Sequence, residues 1–243
     1  GVAERMKFSP YLIYSMVVAA IIYPIYGHWV WGGGWLAKLP IGKGVLDLAG
    51  SGVIHTIGGM LALVGAYFVG PRKKKFNPDG TPNAIPGHNL TLVVIGTLFL
   101  AFGWFGFNSG STLAATDLRI SVIAVNTFIG GAAGAVIIIF LTYAKFGFVD
   151  IGLACNGLLA GLVAITGPAA WVAPWAASVI GLLAGLIMWA TVWFVDNKLK
   201  VDDPLGAVAV HGANGIWGML ALGIFADGTY GGVKGLIAGS GAQ

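Results

Sequence analysis

The 243-residue sequence is 57% hydrophobic and 9% charged, with a mean hydropathy of +0.87, against roughly 45–50% apolar and ~25% charged in an ordinary soluble domain. Apolar runs of about 20 residues recur along it, the length a helix needs to cross ~30 Å of hydrocarbon, so a water-soluble fold is excluded. The formal charge of +4 does not imply nucleic acid, because no segment interleaves dispersed basic residues with stacking aromatics, and the single cysteine, Cys155, offers neither an internal disulfide nor a zinc pattern.

Residues Gly1 to Lys7 read as a loop leading into a helix, with neither an initiator methionine nor a cleavable leader, so a start within a longer protein is expected. Helical spans are predicted over 11–31, 46–70, 89–109, 119–145, 151–167, 174–195 and 206–226, each bounded by charges, prolines or glycine clusters. The fifth is short. The fold class is therefore an all-α integral membrane protein, a polytopic helical bundle. Cytoplasmic loops hold an excess of lysine and arginine, and seven spans must alternate sides. Placing the first residue in the cytoplasm collects Arg5, Lys7, Arg72, Lys73, Lys74, Lys75, Lys145, Lys198 and Lys200 there and leaves Lys38, Lys43, Arg119 and Lys234 outside. The last residue is then extracytoplasmic. The run Arg72 to Lys75 reads as a stop signal fixing this topology rather than as a lipid-phosphate or partner patch. Glycines stand inside the spans at 58, 59, 130, 131, 134, 181 and 185. Where lipid is as apolar as leucine, helices associate by close backbone approach, so a tight bundle is expected.

The segment Asp47 to His55, DLAGSGVIH, repeats in outline at Asp203 to His211, DPLGAVAVH. Each runs from an aspartate through seven residues to a histidine, with a glycine four residues later at Gly59 and Gly215. By the charge argument the second span runs inward and the seventh outward, which makes the pair an inverted repeat, a construction common in transporters. At ~1.5 Å per residue each histidine lies about 12 Å beyond its aspartate, from opposite faces, so both imidazoles are expected near the midplane. One intramembrane histidine is as readily an interhelical hydrogen bond as anything else. Two at one depth on repeat-related helices point to a conduction path. Asp203 is read as a structural cap of its helix. Asp47, near the outer face, is read as a cap and as a fixed charge that favours a cation.

The same residues carry a family resemblance. Leu46 to His55 resembles the Asp-Phe-Ala-Gly-Ser signature and first pore histidine of the Amt/Rh ammonium transporters, and Val201 to Gly212, VDDPLGAVAVHG, resembles the segment bearing the second. Trp31-Gly32-Gly33-Gly34 and Gly103 to Ser111, GWFGFNSGS, are similar to two further family segments. The resemblance runs in order along nearly the whole chain. It implies that residues 1–243 are part of an ammonium transporter domain, corresponding to the fourth through tenth of eleven helices. A homotrimer with a pore through each protomer follows from it. So do pore histidines at His55 and His211, and a vestibule recruiting ammonium with Trp31, Asp47, Phe107 and Ser111. No cofactor and no metal are implied. The implied location is the plasma membrane, among lipid, with ammonium or ammonia as the substrate and a cytoplasmic PII signalling protein as a regulatory partner.

Of 9 Trp and 13 Phe, most are expected to be lipid anchors or packing residues. Trp31 and Phe107 are singled out by the resemblance alone. His28, His88, Tyr23 and Tyr26 read as interfacial or packing residues. An enzyme is not expected: there is no G-x-S-x-G elbow, no G-K-[ST] loop and no H-E-x-x-H. Three alternatives stay open here. They are an ammonium-sensing receptor built on the transporter fold, a channel for neutral gas, and a membrane haem protein with His55 and His211 as axial ligands.

Overall fold

A computed structural model describes residues 1–239; the last residue, to which the charge argument assigns a side, lies outside them. Seven long helices follow in chain order: α1 Phe8–Val30, α2 Ser51–Val69, α3 Leu90–Gly110, α4 Arg119–Phe146, α5 Ile151–Thr166, α6 Pro174–Leu199 and α7 Val208–Phe225. Their starts follow local chemistry. Asn89 Oδ1 accepts from the Leu92 N–H at 3.0 Å ahead of α3, and Asp150 Oδ1 from the Leu153 N–H at 2.9 Å ahead of α5, each satisfying a donor the helix leaves unpaired. Pro174 stands in the first turn of α6, where its missing N–H loses nothing. At the end of α4, Gly147 takes a left-handed φ of 77°, a conformation that glycine reaches without strain.

Six of these helices are long and apolar enough to cross a membrane. The exception, α5, is the span expected to be short. Its C-terminal half, Ala160 to Thr166, is buried, and so is the irregular chain that continues it, Gly167 to Ala170. Non-helical backbone at membrane depth is tolerated where protein rather than lipid surrounds it, so α5 can stop early without exposing carbonyls to hydrocarbon.

The tight bundle is built at glycines. A Cβ on Gly161 of α5 would collide with the Gly130 carbonyl of α4, one on Gly134 with the Gly157 carbonyl, and one on Gly181 of α6 again with Gly130. The backbones of α4, α5 and α6 therefore touch directly, over a core that includes Ile123, Ile138, Ile165, Ile180 and Met188. Helices α2 and α7 meet in the same way. A Cβ on Gly59 would strike Gly212, one on Gly215 would strike Ser51 and Thr56, and Gly52 lies against Met219. As the α2 number rises through 52, 56 and 59 the α7 partner falls through 219, 215 and 212, so the two helices cross antiparallel. The inverted arrangement expected from the repeat is present.

On the face that carries most of the basic residues, the α2–α3 loop is tied to the α6–α7 loop. Arg72 Nε and its second terminal nitrogen reach the two oxygens of Asp202 at 2.9 and 3.0 Å, while the Arg72 backbone N–H donates to the same carboxylate at 2.8 Å. Arg5 adds a charge at 3.6 Å, and Lys75 pairs with Asp196 at 2.9 Å. Two members of the Arg72 to Lys75 run are thus engaged in ion pairs, a structural duty in addition to the expected topological one. Burial pushes the Asp202 carboxyl up, but the hydrogen bonds and charge of Arg72, with Arg5 behind them, outweigh it and hold the group below its ordinary 3.8.

Two outcomes are expected. Gly161→Val, which drives a branched side chain into the α4 backbone, lowers stability by at least the ~1–3 kcal/mol of ordinary overpacking, read as a lower melting midpoint and reduced monodisperse yield in detergent. A carboxylate with a depressed pKa contributes stability that is present above its unfolded value and lost as pH falls through its folded value. Arg72→Gln is therefore expected to lower the melting midpoint at pH 7, by about 1–3 kcal/mol in stability, and the gap to wild type is expected to close on acidification below about pH 4.

Candidate functional site

His55 and His211 each lie inside a π-helical turn, Ser51–Thr56 at the start of α2 and Val208–Ala213 at the start of α7. Such widened turns are rare and often found at functional sites. The antiparallel crossing brings the Nδ1 atoms to 3.1 Å, with the rings 5.2 Å apart between centroids and 18° from parallel. For neutral imidazoles a hydrogen bond between two Nδ1 atoms requires one to carry the proton and the other to accept it, so the rings hold opposite tautomers. His55 is 7% exposed, and its Nε2 has no protein partner.

Around this pair the aromatics of α3 are arranged by helical spacing. Trp104 stacks on His55 at 5.2 Å and 15°, and Phe107, one turn on, meets His55 edge-on at 5.8 Å and Trp104 at 5.8 Å. Trp104 Nε1 donates to Thr166 Oγ1 at 2.8 Å, and the threonine hydroxyl donates in turn to the Leu162 carbonyl at 2.7 Å. The buried end of α5 thus fixes the indole that covers His55. Trp104 was not among the residues singled out from sequence. Its signal was present, three residues before Phe107 within Gly103 to Ser111, where i and i+3 share a helix face. His55 lines two cavities, one of about 460 Å³ with Tyr11, Tyr14, Gly58 and His211, the other of about 450 Å³ with Phe99, Trp104 and Phe107.

Asp47 differs in environment from what a charge facing outward would show. It is 6% exposed, and its oxygens accept four backbone N–H groups: Oδ1 from Gly50 at 2.8 Å and Ser51 at 2.9 Å, Oδ2 from Gly52 at 2.8 Å and Val53 at 3.0 Å. The capping half of its reading is thus geometrically plain. Trp31, at the C-cap of α1, donates its Nε1 to the Asp47 carbonyl at 2.7 Å while its ring stays 44% exposed. Ser111, at the C-cap of α3, donates Oγ–H to the Phe107 carbonyl at 2.7 Å, which leaves its oxygen free to accept. Asp203 Oδ2 accepts from the N–H of Val208, the first residue of α7, at 2.7 Å, while its Oδ1 is buried without a hydrogen-bond partner. Ser51, fully buried, completes the frame: its Oγ donates to the Val163 carbonyl at 2.6 Å and accepts from the Gly167 N–H at 2.6 Å, pinning the start of α2 to the end of α5.

The haem alternative is corrected by this geometry. Two axial imidazoles need a metal between their nitrogens, at about 2 Å from each, and a porphyrin plane separating the rings. Here the facing nitrogens are 3.1 Å apart and the rings are stacked on one another.

Comparison with known proteins gives a consistent result. The family model described as Ammonium Transporter Family matches residues 1–243. Ammonium transporter Amt2 of Archaeoglobus fulgidus is 57% identical over 237 residues, covering 95% of this chain and 50% of that protein. Ammonium transporter 3 of Dictyostelium discoideum is 34% identical over 239 residues, with 96% and 54% covered. Among solved structures, one described as a Sensor Amt Protein superposes with a TM-score of 0.89 at 42% identity, over 94% of this chain and 57% of that one. Saccharomyces cerevisiae Mep2 superposes at 0.85 and 33% identity, over 97% and 52%. The chain spans about half the length of the curated relatives it matches.

Because four N–H groups converge on Asp47, an amide cannot replace the carboxylate without turning a donor toward donors. Asp47→Asn is expected to destabilise the start of α2 by about 1–3 kcal/mol, read as a lower melting midpoint and as faster hydrogen exchange at Gly50 to Val53. Asp47→Glu, which keeps the charge but moves it, is expected to recover only part of the loss.

Proposed function

This chain belongs to the ammonium transporter family, and we propose accordingly that its parent protein conducts ammonium across a membrane along a path lined by His55 and His211. The observation that supports this most directly is the 3.1 Å Nδ1–Nδ1 contact between histidines on antiparallel, repeat-related helices, with His55 Nε2 buried and unpartnered beside a cavity. Relatives at 57% and 34% identity are named as ammonium transporters, and no catalytic motif argues for an enzyme. On this reading residues 1–243 are the fourth to tenth helices of an eleven-helix protomer in a homotrimer. The protein sits among lipid in the plasma membrane, residue 1 faces the cytoplasm, and a PII signalling protein is the regulatory partner there.

The chemistry follows from desolvation. Placing a small bare cation in a low-dielectric channel costs on the order of tens of kcal/mol by Born solvation. An aromatic face returns only ~0.5–2 kcal/mol. Trp31, Phe107 and the accepting oxygen of Ser111 therefore select a small hydrogen-bonding cation at the mouth, with Asp47 shaping that mouth through the Trp31 bond, but they do not carry the ion through. The ion sheds its proton and crosses as ammonia. If His55 holds its proton on Nδ1, its Nε2 is an acceptor and can take the proton from ammonium. The Nδ1 proton then passes to His211 Nδ1, and His211 releases the one on its own Nε2. The charge rests on His55 and then on His211 in passing; after the third transfer both rings are neutral with tautomers exchanged, and the starting tautomers are restored before the next proton follows. Net movement is electrogenic.

A second reading has one specific observation in its favour, the superposition on a structure described as a Sensor Amt Protein: the transporter fold then acts as an ammonium receptor. Current evoked by ammonium on a solid-supported membrane separates the two. In the full-length parent, the His55→Ala, His211→Ala double variant is expected to lose at least ~100-fold in current, the lower range for a proton-transfer group, while its melting midpoint stays near that of wild type. Ammonium binding with no current in wild type would instead favour the receptor.

A further inference from the structure

Two registers bracket each histidine, and they do not agree with a plain α-helix. Upstream, the Asp47 carboxylate fixes the N–H groups of Gly50 to Val53, and Asp203 fixes that of Val208. Downstream, Gly59 lies so close to the Gly212 backbone, and Gly215 to Ser51 and Thr56, that a Cβ at either glycine would collide. Each π turn starts at such a cap and runs on toward such a contact, winding five residues to a bond where an α-helix winds four. Without it, everything on one side would turn by the ~100° that one residue occupies in an α-helix, and the imidazoles would no longer face each other.

Both turns carry a side chain at the matching spacing. Thr56 Oγ1 donates to the Ser51 carbonyl at 3.0 Å, and Asn214 Nδ2 donates to the Ala209 carbonyl at 2.9 Å. Each bond reaches back five residues, the interval of a π turn rather than the four of an α turn. Asn214 is fully buried and Thr56 partly so, and in an apolar surrounding a carbonyl loosened from regular helical pairing is costly to leave unmet. The two residues are not aligned in the repeat, since Thr56 corresponds to Gly212 and Asn214 to Gly58. The device is the same while the residues that supply it differ.

We propose that Thr56 and Asn214 are positioning residues for the histidine pair: each locks its helix in the widened turn that points His55 or His211 at the other. Neither touches the path's reacting atoms. The inference deepens the transport reading and rests on it for its functional consequence, but its geometric half stands apart. The test uses full-length parent protein with ¹⁵N-labelled histidine in lipid, and reads both the nitrogen–nitrogen coupling across the Nδ1–Nδ1 hydrogen bond by solid-state NMR and the ammonium current. Thr56→Val, of equal shape, and Asn214→Leu are each expected to abolish or weaken the coupling and to cut the current about fivefold, the equivalent of one ordinary hydrogen bond. Thr56→Ser, which keeps the hydroxyl, is expected to restore both. Should Asn214→Leu not fold, Thr56→Val decides alone, because its site is only partly buried. Coupling unchanged in Thr56→Val overturns the proposal, whatever the current does. Coupling lost with current intact upholds the positioning role and removes the histidine relay from the transport reading instead.

Discussion

Helices dissolved in hydrocarbon gain little by hiding leucine from lipid, so what holds them together is how closely their backbones come. In this chain that closeness is supplied by glycine at several crossings, Gly130 with Gly161 and Gly181, Gly134 with Gly157, and Gly59 with Gly212. The last is the one from which the site derives. Because α2 and α7 touch backbone to backbone, the side chains four residues before Gly59 and one before Gly212 are forced into the same small volume. Those side chains are the histidines. A larger residue at the crossing would separate the imidazoles before any other feature of the site could act.

Around that crossing the polar groups are spent on holding backbone in unusual shapes. Asp47 receives four N–H groups, Ser51 clips α2 to the irregular end of α5, and Thr166 holds the Trp104 indole that stacks on His55. The arrangement is dense because an unmet polar group inside a membrane has no water to turn to. Function and support are therefore difficult to separate by residue type. Asp47 looks like an attracting charge in the sequence, and in the structure it is first the anchor of a helix start.

The spans, their number and the inverted repeat were legible because they are written in composition: apolar length, lysine placement and an Asp-to-His interval that recurs. What was hidden arises from the meeting of two segments and from no single one. The π turns at Ser51–Thr56 and Val208–Ala213 leave no mark in residue type, since glycines, valines and alanines there fit an α-helix as well. The Arg72–Asp202 clamp joins residues 130 apart, and the sequence shows only a basic run and a pair of aspartates. Trp104 lay inside a quoted motif yet stood out from eight other tryptophans only once its ring was seen against His55.

The antiparallel crossing also bears on direction. Seen from either side, a solute approaching the histidine pair meets the same order of parts, a capped helix start, a widened turn, then an imidazole, because each half presents to one face what the other presents to the opposite face. The likeness is confined to the helix starts and imidazoles, since the proposed mouth of Trp31, Phe107 and Ser111 stands on one side only. On the proposed reading nothing drives the relay but the solute itself. The sign of the flux would be dictated by the electrochemical gradient alone, and any one-way accumulation by the cell would have to come from a reaction that consumes the solute once it has arrived.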